Sequence, residues 1–170
     1  MKLAVISDTH DHLENLEKAL TEINELGAGV LLHCGDLVSP FVIDRLAKFN
    51  GPVHVVFGNN EGDRYTINNV ATKKFPNVKL HGEMGFVETE SGEAAFTHRP
   101  EFARGLACTQ KYRRFLWAYT SNENGAGREN MAHKSGRAHG APRTAGMDRL
   151  RCRRGRNEAL HAEMSRTCGF

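Results

Sequence analysis

The sequence predicts an α/β fold in which parallel strands alternate with helices. The first observation is the order of patterns over residues 3–57, where three apolar runs rich in β-branched residues are separated by two stretches typical of helices. The second is that each run is followed by polar residues: Asp8 and His10, then Asp36, then Asn59 and Asn60. Because α/β sheets bind ligands outside the carboxyl ends of their strands, the two observations support one another.

Each element in the first third follows from its local pattern. Short apolar runs predict three strands, at residues 3–6, 29–36 and 53–57. Leucine and isoleucine at helical spacing predict a helix from Asp11 to about Glu25, with Gly27 as its stop. Ser39 as N-cap and Pro40 at the first helical position predict a second helix, which ends near Phe49.

The same patterns continue up to residue 119. They predict a helix at 63–75, a strand at 77–80, antiparallel strands at 85–90 and 93–98, a helix at 101–112 and a strand at 115–119. A turn at Ser91-Gly92 joins the antiparallel pair, and the second strand of that pair ends at His98. His98 is therefore another polar residue at a strand end.

Length and composition fit one globular domain. The 170 residues, 39% of them apolar, can bury a core without disulfides. No apolar stretch approaches the roughly 18 residues of a membrane-spanning helix. The four cysteines have no C-x-x-C spacing, and the chain begins with a strand pattern rather than a cleavable leader, so we expect a reducing cytoplasm.

Asp8 and His10 together form a candidate pair of ligands for a divalent metal ion. Side chains two positions apart at a strand end point the same way, and a carboxylate and an imidazole both bind such ions. The alternative for the pair is a helix-capping aspartate beside a surface histidine, and the alternative for the other strand ends is turn residues. Three polar strand ends in register favour the metal.

Four motifs resemble those of the calcineurin-like metallophosphoesterases, especially the small single-domain bacterial and archaeal phosphodiesterases. They are D-T-H at 8–10, G-D at 35–36, G-N-N-E at 58–61 and T-H at 97–98, in the family's order. The resemblance implies a four-layer α-β-β-α sandwich. It also implies a metal-dependent phosphoesterase, with a small phosphodiester or phosphomonoester as substrate.

The resemblance assigns the metal ligands. Asp8 and His10 would hold one ion, Asp36 would bridge two, and Asn59 and His98 would hold the second. A hydroxide between the ions would attack phosphorus in line, while the ions neutralise the phosphoryl oxygens. Manganese is the expected metal, and nickel, iron, zinc and magnesium are the alternatives.

Two positions depart from the family pattern. Asn60 stands at a catalytic position where many relatives carry a histidine that protonates the leaving group, so we expect slow turnover or a preference for good leaving groups. Arg99 stands where these enzymes commonly carry glycine. Its side chain either contacts substrate phosphate or crowds the loop, and the sequence leaves both open.

The last third of the chain breaks the pattern. The family's closing G-H-T-H block is replaced by W-A-Y-T-S at 117–121. Residues 1–120 contain fourteen valines or isoleucines, whereas residues 121–170 contain none and hold nine arginines. We therefore predict a truncated domain at 1–120 and an anomalous basic tail at 121–170, with the closing strands of the sandwich missing or disordered.

A frameshift near residues 112–114 would explain this tail. When the codons are read one nucleotide forward, those of Trp117-Ala118 must encode glycine, and suitable codons around them give D-F-Y-G-H-T-H. In the same shifted frame, Met131-Ala132 must give tryptophan, and the following codons can give W-L-I-N-P-G-E, which resembles the family's closing strand. The arginines would then be a by-product, so nucleic acid is not an expected partner. The competing interpretation is an ordinary disordered basic tail.

Two functions remain after these steps. The first is the metal-dependent phosphoesterase, and the second is a catalytically weak or inactive protein-binding scaffold, like the retromer subunit of the same fold. No membrane partner is expected, and homo-oligomerisation is left open. His33, His54 and His81 lie within or at the ends of predicted strands, and we expect them to be structural.

Overall fold

Two β-sheets packed face to face form the centre of the fold. The structure is a computed structural model that describes residues 2–89, 92–108, 114–117, 151–154 and 159–163. The described elements, in chain order, are β1 (Leu3–Ile6), α1 (Leu13–Glu25), β2 (Val30–His33), α2 (Val42–Leu46), β3 (Val53–Val55), α3 (Arg64–Lys74), β4 (Val78–Leu80), β5 (Met84–Thr89), β6 (Gly92–Thr97), α4 (Pro100–Cys108), β7 (Arg114–Trp117), β8 (Arg151–Arg154) and β9 (Ala159–Glu163).

The larger sheet is mainly parallel. Its strand order is β4-β3-β2-β1-β9-β8, and β1 to β4 are parallel to their neighbours, as predicted. The smaller sheet has the order β5-β6-β7. In it, β5 and β6 are antiparallel, also as predicted, and β7 runs parallel to β6.

The alternation of side chains along β1 separates two apolar cores. Ala4 and Ile6 face α1, α2 and α3, with which they form the larger core. Leu3 and Val5 face the smaller sheet and pack with Phe96 of β6. Helix α4 contacts β6 and β7. The layers are thus helices, large sheet, small sheet and helix, which confirms the predicted four-layer α-β-β-α sandwich.

The prediction for α2 was wrong at its start. The helix begins at Val42 with Phe41 as its cap residue, and it ends at Leu46 rather than Phe49. Ser39 does not cap this helix, because its backbone N–H and its hydroxyl both donate to the carboxylate of Asp11, at 2.9 and 2.7 Å. The Ser39 side chain, which the local sequence pattern assigned to the helix as its N-cap, therefore binds the distant Asp11 instead.

Two described strands lie within residues 121–170, for which the sequence predicted that the closing strands of the sandwich are missing or disordered. Strand β9 pairs in parallel with β1, from Leu3 opposite Ala159 to Val5 opposite His161, and β8 pairs antiparallel with β9. Backbone hydrogen bonds need no particular side chain, so the open edge of β1 can be paired even by a segment without valine or isoleucine. The other residues of the predicted tail lie outside the described residues.

None of the described helices has the length and apolar character needed to cross a membrane.

Gly85 is required by the packing between the sheets. It lies opposite Phe96 in the β5–β6 ladder, and a Cβ at this position would lie 2.1 Å from the ring of Phe96. We expect Gly85→Ala to lower the free energy of unfolding by about 1–3 kcal/mol, because a buried ring must shift. The control is Gly105→Ala in α4, where a Cβ meets nothing within 4 Å. Urea denaturation of both variants tests this, and equal stability would contradict it.

Candidate metal centre

The loops that follow β1, β2, β3 and β6 meet at one edge of the sandwich. Backbone hydrogen bonds join the first two of these loops: Asp8 N–H donates to the Gly35 carbonyl at 2.9 Å, and His10 N–H donates to the Asp36 carbonyl at 3.0 Å. Because β1 and β2 are parallel neighbours, their carboxyl ends bring these loops together.

Asp8, His10 and Asp36 form one group of candidate ligands. One ligand atom from each lies within 4.8 Å of the others. His10 Nε2 is 3.4 Å from Asp36 Oδ2 and 3.8 Å from Asp8 Oδ1. Both carboxylates are buried, and two buried carboxylates beside an imidazole are a donor set that fits a divalent cation.

Asn59 and His98 form a second group on the other side of Asp36. His98 Nε2 lies 2.7 Å from Asn59 Oδ1 and 3.5 Å from Asp36 Oδ1. His98 Nδ1 lies 2.8 Å from the Cys34 carbonyl, which can only accept, so Nδ1 is the nitrogen that carries a proton. In neutral His98, the lone pair of Nε2 then faces the Asn59 oxygen. Two acceptors this close fit a shared cation.

The carboxylate of Asp36 stands between the two groups and is held by Asn60. Asn60 donates its backbone N–H to Oδ1 at 2.9 Å and its side-chain amide to Oδ2 at 2.6 Å. Gly58 makes this approach sterically feasible, since a Cβ there would lie 2.0 Å from Asp36 Oδ1. The structure thus brings together the six residues that the sequence singled out at these strand ends.

Glu61 has a role that the sequence did not predict. Its carboxylate accepts four backbone N–H groups, from Gly58 at 2.8 Å, Asp36 at 2.7 Å, Leu37 at 3.1 Å and Val38 at 2.9 Å. Charge-assisted bonds of this kind are the strong ones in proteins. The sequence feature that could have pointed to Glu61 is its place as the last residue of the G-N-N-E motif. Its hydrogen-bond donors, apart from Gly58, are more than twenty residues away in sequence, so local pattern did not show them.

Backbone strain is concentrated in the same loops. In the described part of the chain, the non-glycine residues with positive φ are Asp8, His10, Asp11, Asp36 and Val38. Aspartate tolerates this conformation, but a β-branched residue such as Val38, at φ 76°, rarely adopts it. Such residues cost about 1–3 kcal/mol each, and they persist where the surrounding contacts hold them.

His33 was predicted to be structural, and its contacts confirm this. It is fully buried, and its Nδ1 accepts the Gly35 N–H at 3.2 Å. Its Nε2 therefore carries the proton and donates to Thr9 Oγ1 at 3.1 Å. His33 thus links the D-T-H loop to the G-D loop. Burial lowers the pKa of His33 to about 4, although the nearby carboxylates of Asp8 and Asp36 oppose this shift.

Arg99 lies beside the centre and is paired with carboxylates. Its Nε donates to Glu83 Oε2 at 3.0 Å, and its Nη1 is 3.8 Å from Glu101 Oε1. A contact with substrate stays a prediction for this residue.

A cleft of about 580 Å³ opens onto the candidate ligands. Its walls are formed by His10, Asp11, Val38, Asn59, Asn60, Glu61 and Gly62. Clefts of this volume are typical of small-molecule sites.

A family model described as the calcineurin-like phosphoesterase superfamily domain matches residues 1–121. This match spans more than half of the sequence, and the chain therefore belongs to the calcineurin-like phosphoesterase superfamily, a class of hydrolytic, metal-dependent enzymes. The family predicted from the motifs is confirmed.

One sequence relative and two solved structures are similar to the chain. It is 44% identical to the phosphodiesterase MJ0936 of Methanocaldococcus jannaschii over 64 residues, which are 38% of this chain and 39% of that protein. A structure of an archaeal phosphodiesterase matches with a TM-score of 0.65 and 22% identity, over 96% of this chain and 82% of the other. A protein of unknown function from Aquifex aeolicus matches with a TM-score of 0.51 and 17% identity, over 73% and 82% of the two chains. The structural matches confirm the fold.

Replacing the Glu61 carboxylate tests its role in holding the loops. We expect Glu61→Gln to lower the free energy of unfolding by about 3 kcal/mol, because an amide offers one acceptor oxygen and turns an N–H₂ group toward backbone donors. The control is Glu25→Gln at the exposed end of α1, with an expected change under about 0.5 kcal/mol. Urea denaturation in EDTA measures both. Equal effects would show that the four hydrogen bonds contribute little.

The buried His33 predicts a pH dependence of stability. The unfolded chain protonates this histidine near its ordinary pKa of 6.5, whereas the folded protein does so only at about 4. Unfolding therefore takes up a proton between these values, and His33 removes about 3 kcal/mol of stability as the pH falls from 6.5 to 4. In His33→Gln we expect a shallower loss over this window. Urea denaturation of EDTA-treated protein measures the two profiles, and parallel profiles would contradict the prediction.

Proposed function

We propose that this chain hydrolyses small phosphodiesters at a centre of two divalent ions held by Asp8, His10, Asp36, Asn59 and His98. The observation that carries the proposal is that these five side chains, from four different loops, converge around the Asp36 carboxylate. Asp36 has one oxygen 3.4 Å from His10 and the other 3.5 Å from His98, as a bridging ligand requires.

The donor set supports a divalent metal ion. Carboxylate and amide oxygens together with imidazole nitrogens suit manganese, which we propose as the metal, and they also suit nickel, iron, zinc or magnesium. When bound, such ions would lower the pKa of a water and neutralise developing charge on a phosphoryl group. Two buried carboxylates favour cations at this position, since each would otherwise be a buried negative charge.

The chain's own residues would position the substrate and limit the chemistry. Asn60 forms part of the cleft wall and donates its backbone N–H and its side-chain amide to Asp36, so it orients that carboxylate. An amide cannot supply a proton to the departing alcohol. We therefore propose that the enzyme prefers esters of acidic alcohols, whose anions leave without protonation.

Phosphodiesters are the proposed substrate class because the relative and the structural neighbour named above are phosphodiesterases. Phosphomonoesters are the alternative. The cleft of about 580 Å³ suits a small molecule. Arg99, which follows the candidate ligand His98 in the sequence, is the proposed contact for the substrate phosphate.

The missing G-H-T-H block would weaken this activity. Neither of its histidines is present at residues 117–121, so each ion would have one ligand fewer than in the family pattern. We propose, as from the sequence, that a frameshift near residues 112–114 removed them and altered the sequence of the basic tail at 121–170. Sequencing the gene around these codons decides this. We also propose a cytoplasmic location, and the buried, free Cys34 is compatible with it.

Removing the bridging carboxylate tests the proposed chemistry. With added Mn²⁺ we expect hydrolysis of bis(p-nitrophenyl) phosphate, slower hydrolysis of an alkyl phosphodiester, and a loss of at least about a hundredfold in Asp36→Asn, because a second-shell change alone costs 10–100-fold. The control is Asp44→Asn on the exposed side of α2. Absence of turnover with every divalent ion would favour the protein-binding scaffold instead.

A further inference from the structure

Three charged side chains beside the candidate metal centre form one connected group, which we call the charged brace: Arg64, Glu83 and Arg99. Arg64 Nη1 donates to Glu83 Oε1 at 2.6 Å, and Arg99 Nε donates to Glu83 Oε2 at 3.0 Å. Each oxygen of Glu83 thus accepts from a different arginine. The three residues come from α3, from the turn before β5 and from the loop after β6, so the brace joins distant parts of the chain.

The two arms of the brace end on loops that carry candidate ligands. Arg64 Nη2 donates to the carbonyl of Gly58 at 2.9 Å, and Gly58 immediately precedes Asn59. Arg99 immediately follows His98, and its backbone N–H donates to Thr97 Oγ1 at 3.2 Å. Thr97 Oγ1 in turn donates to the carbonyl of Glu83 at 2.8 Å. Glu83 is therefore tied to the loop after β6 by both its side chain and its backbone.

The geometry of the brace restricts its movement. The guanidinium of Arg64 lies 5.0 Å from the centre of the Phe57 ring, a cation–π contact that fixes its plane. Burial opposes ionisation of Glu83, but the hydrogen bonds from Arg64 and Arg99 outweigh it, so the pKa of Glu83 is lowered. Glu83 is thus a carboxylate at neutral pH and can hold both cations.

We propose that Glu83 and Arg64 are positioning residues for the second divalent ion. By joining the Gly58–Asn59 loop to the Thr97–Arg99 loop, the brace holds Asn59 Oδ1 and His98 Nε2 close together, 2.7 Å apart in the structure, so that a small separation of the two atoms would let one ion contact both. The inference rests on the proposed metal centre. It adds that affinity for one of the two ions depends on residues that contact neither ion.

Titration of the full-length protein with Mn²⁺, followed by isothermal calorimetry and by the EPR signal of free Mn²⁺, tests this. We expect the wild type to bind two ions in two steps. In Glu83→Gln and in Arg64→Gln, we expect the weaker step to lose about tenfold in affinity, the size of a typical second-shell effect, and the tighter step to change less than twofold. The matched controls are Glu88→Gln on β5 and Lys73→Gln on α3, which remove the same charges elsewhere.

The Arg64→Gln variant distinguishes an effect on the position of the ligands from a simple effect of charge on cation binding. Removing a positive charge near a cation site should strengthen cation binding if charge alone matters, whereas loss of positioning weakens it. Tighter binding of Mn²⁺ by Arg64→Gln, or two unchanged steps in both brace variants, would overturn the proposal. Thermal melts in EDTA accompany the titrations, and an equal loss in both steps together with a lower melting temperature would mean a general structural role, which also overturns it.

The same titration distinguishes failure of the brace from failure of the metal centre. Wild-type protein that binds no Mn²⁺ would overturn the proposed function and this inference together. Two bound ions in the wild type with unaffected brace variants would overturn the brace alone.

Discussion

Four backbone N–H groups converge on the carboxylate of Glu61, and the geometry of the candidate site depends on this convergence. Three of the donors belong to the turn that carries Asp36, and the fourth is Gly58 in the next loop. When residues of a turn adopt the left-handed conformation, successive backbone N–H groups point toward one common position, and these N–H groups need an acceptor there. Because Glu61 supplies that acceptor, the turn can hold Asp36 and Val38 at positive φ and still leave the Asp36 carboxylate facing His10 and His98.

The layered fold places the turn that carries Asp36 at the edge of the sandwich where the other candidate ligands lie. Strands β1, β2 and β3 are parallel and short. The apolar residues of β1 and β2 are buried on both faces, against α1 to α3 on one side and the smaller sheet on the other, and those of β3 are buried against the helices. Their register fixes the positions at which the chain leaves the sheet. Strand β6 of the other sheet contributes His98, whose Nδ1 reaches the carbonyl of Cys34 after β2. The candidate centre thus lies where the two sheets meet, and packing between the sheets sets the distance between its two groups.

Some features of the fold and of the candidate site could be predicted from the sequence, and others could not. Apolar periodicity was sufficient for β1, β2, β3 and the body of α1, because each is a local pattern, and strand ends alone pointed to Asp8, His10, Asp36, Asn59 and Asn60. The ligand role of His98 and the division of the ligands between two ions came only through the family motifs. The role of Glu61 and the contacts among Arg64, Glu83 and Arg99 could not be predicted, because the partners, apart from Gly58, lie sixteen or more residues apart and meet only after the sheets pack. Ser39 was misassigned for the same reason, since Asp11 is its distant acceptor.

The two groups of candidate ligands are not equivalent, and this difference gives the brace its importance. The Asp8, His10 and Asp36 group has two carboxylates, and its loops are joined directly by backbone hydrogen bonds. The Asn59 and His98 group has only neutral donors of its own and shares the single charge of Asp36. Fewer charges attract a cation less strongly, so binding there depends more on how well the donors are held in place. Asn59 and His98 come from loops of different sheets, and Arg64, Glu83 and Arg99 join those loops.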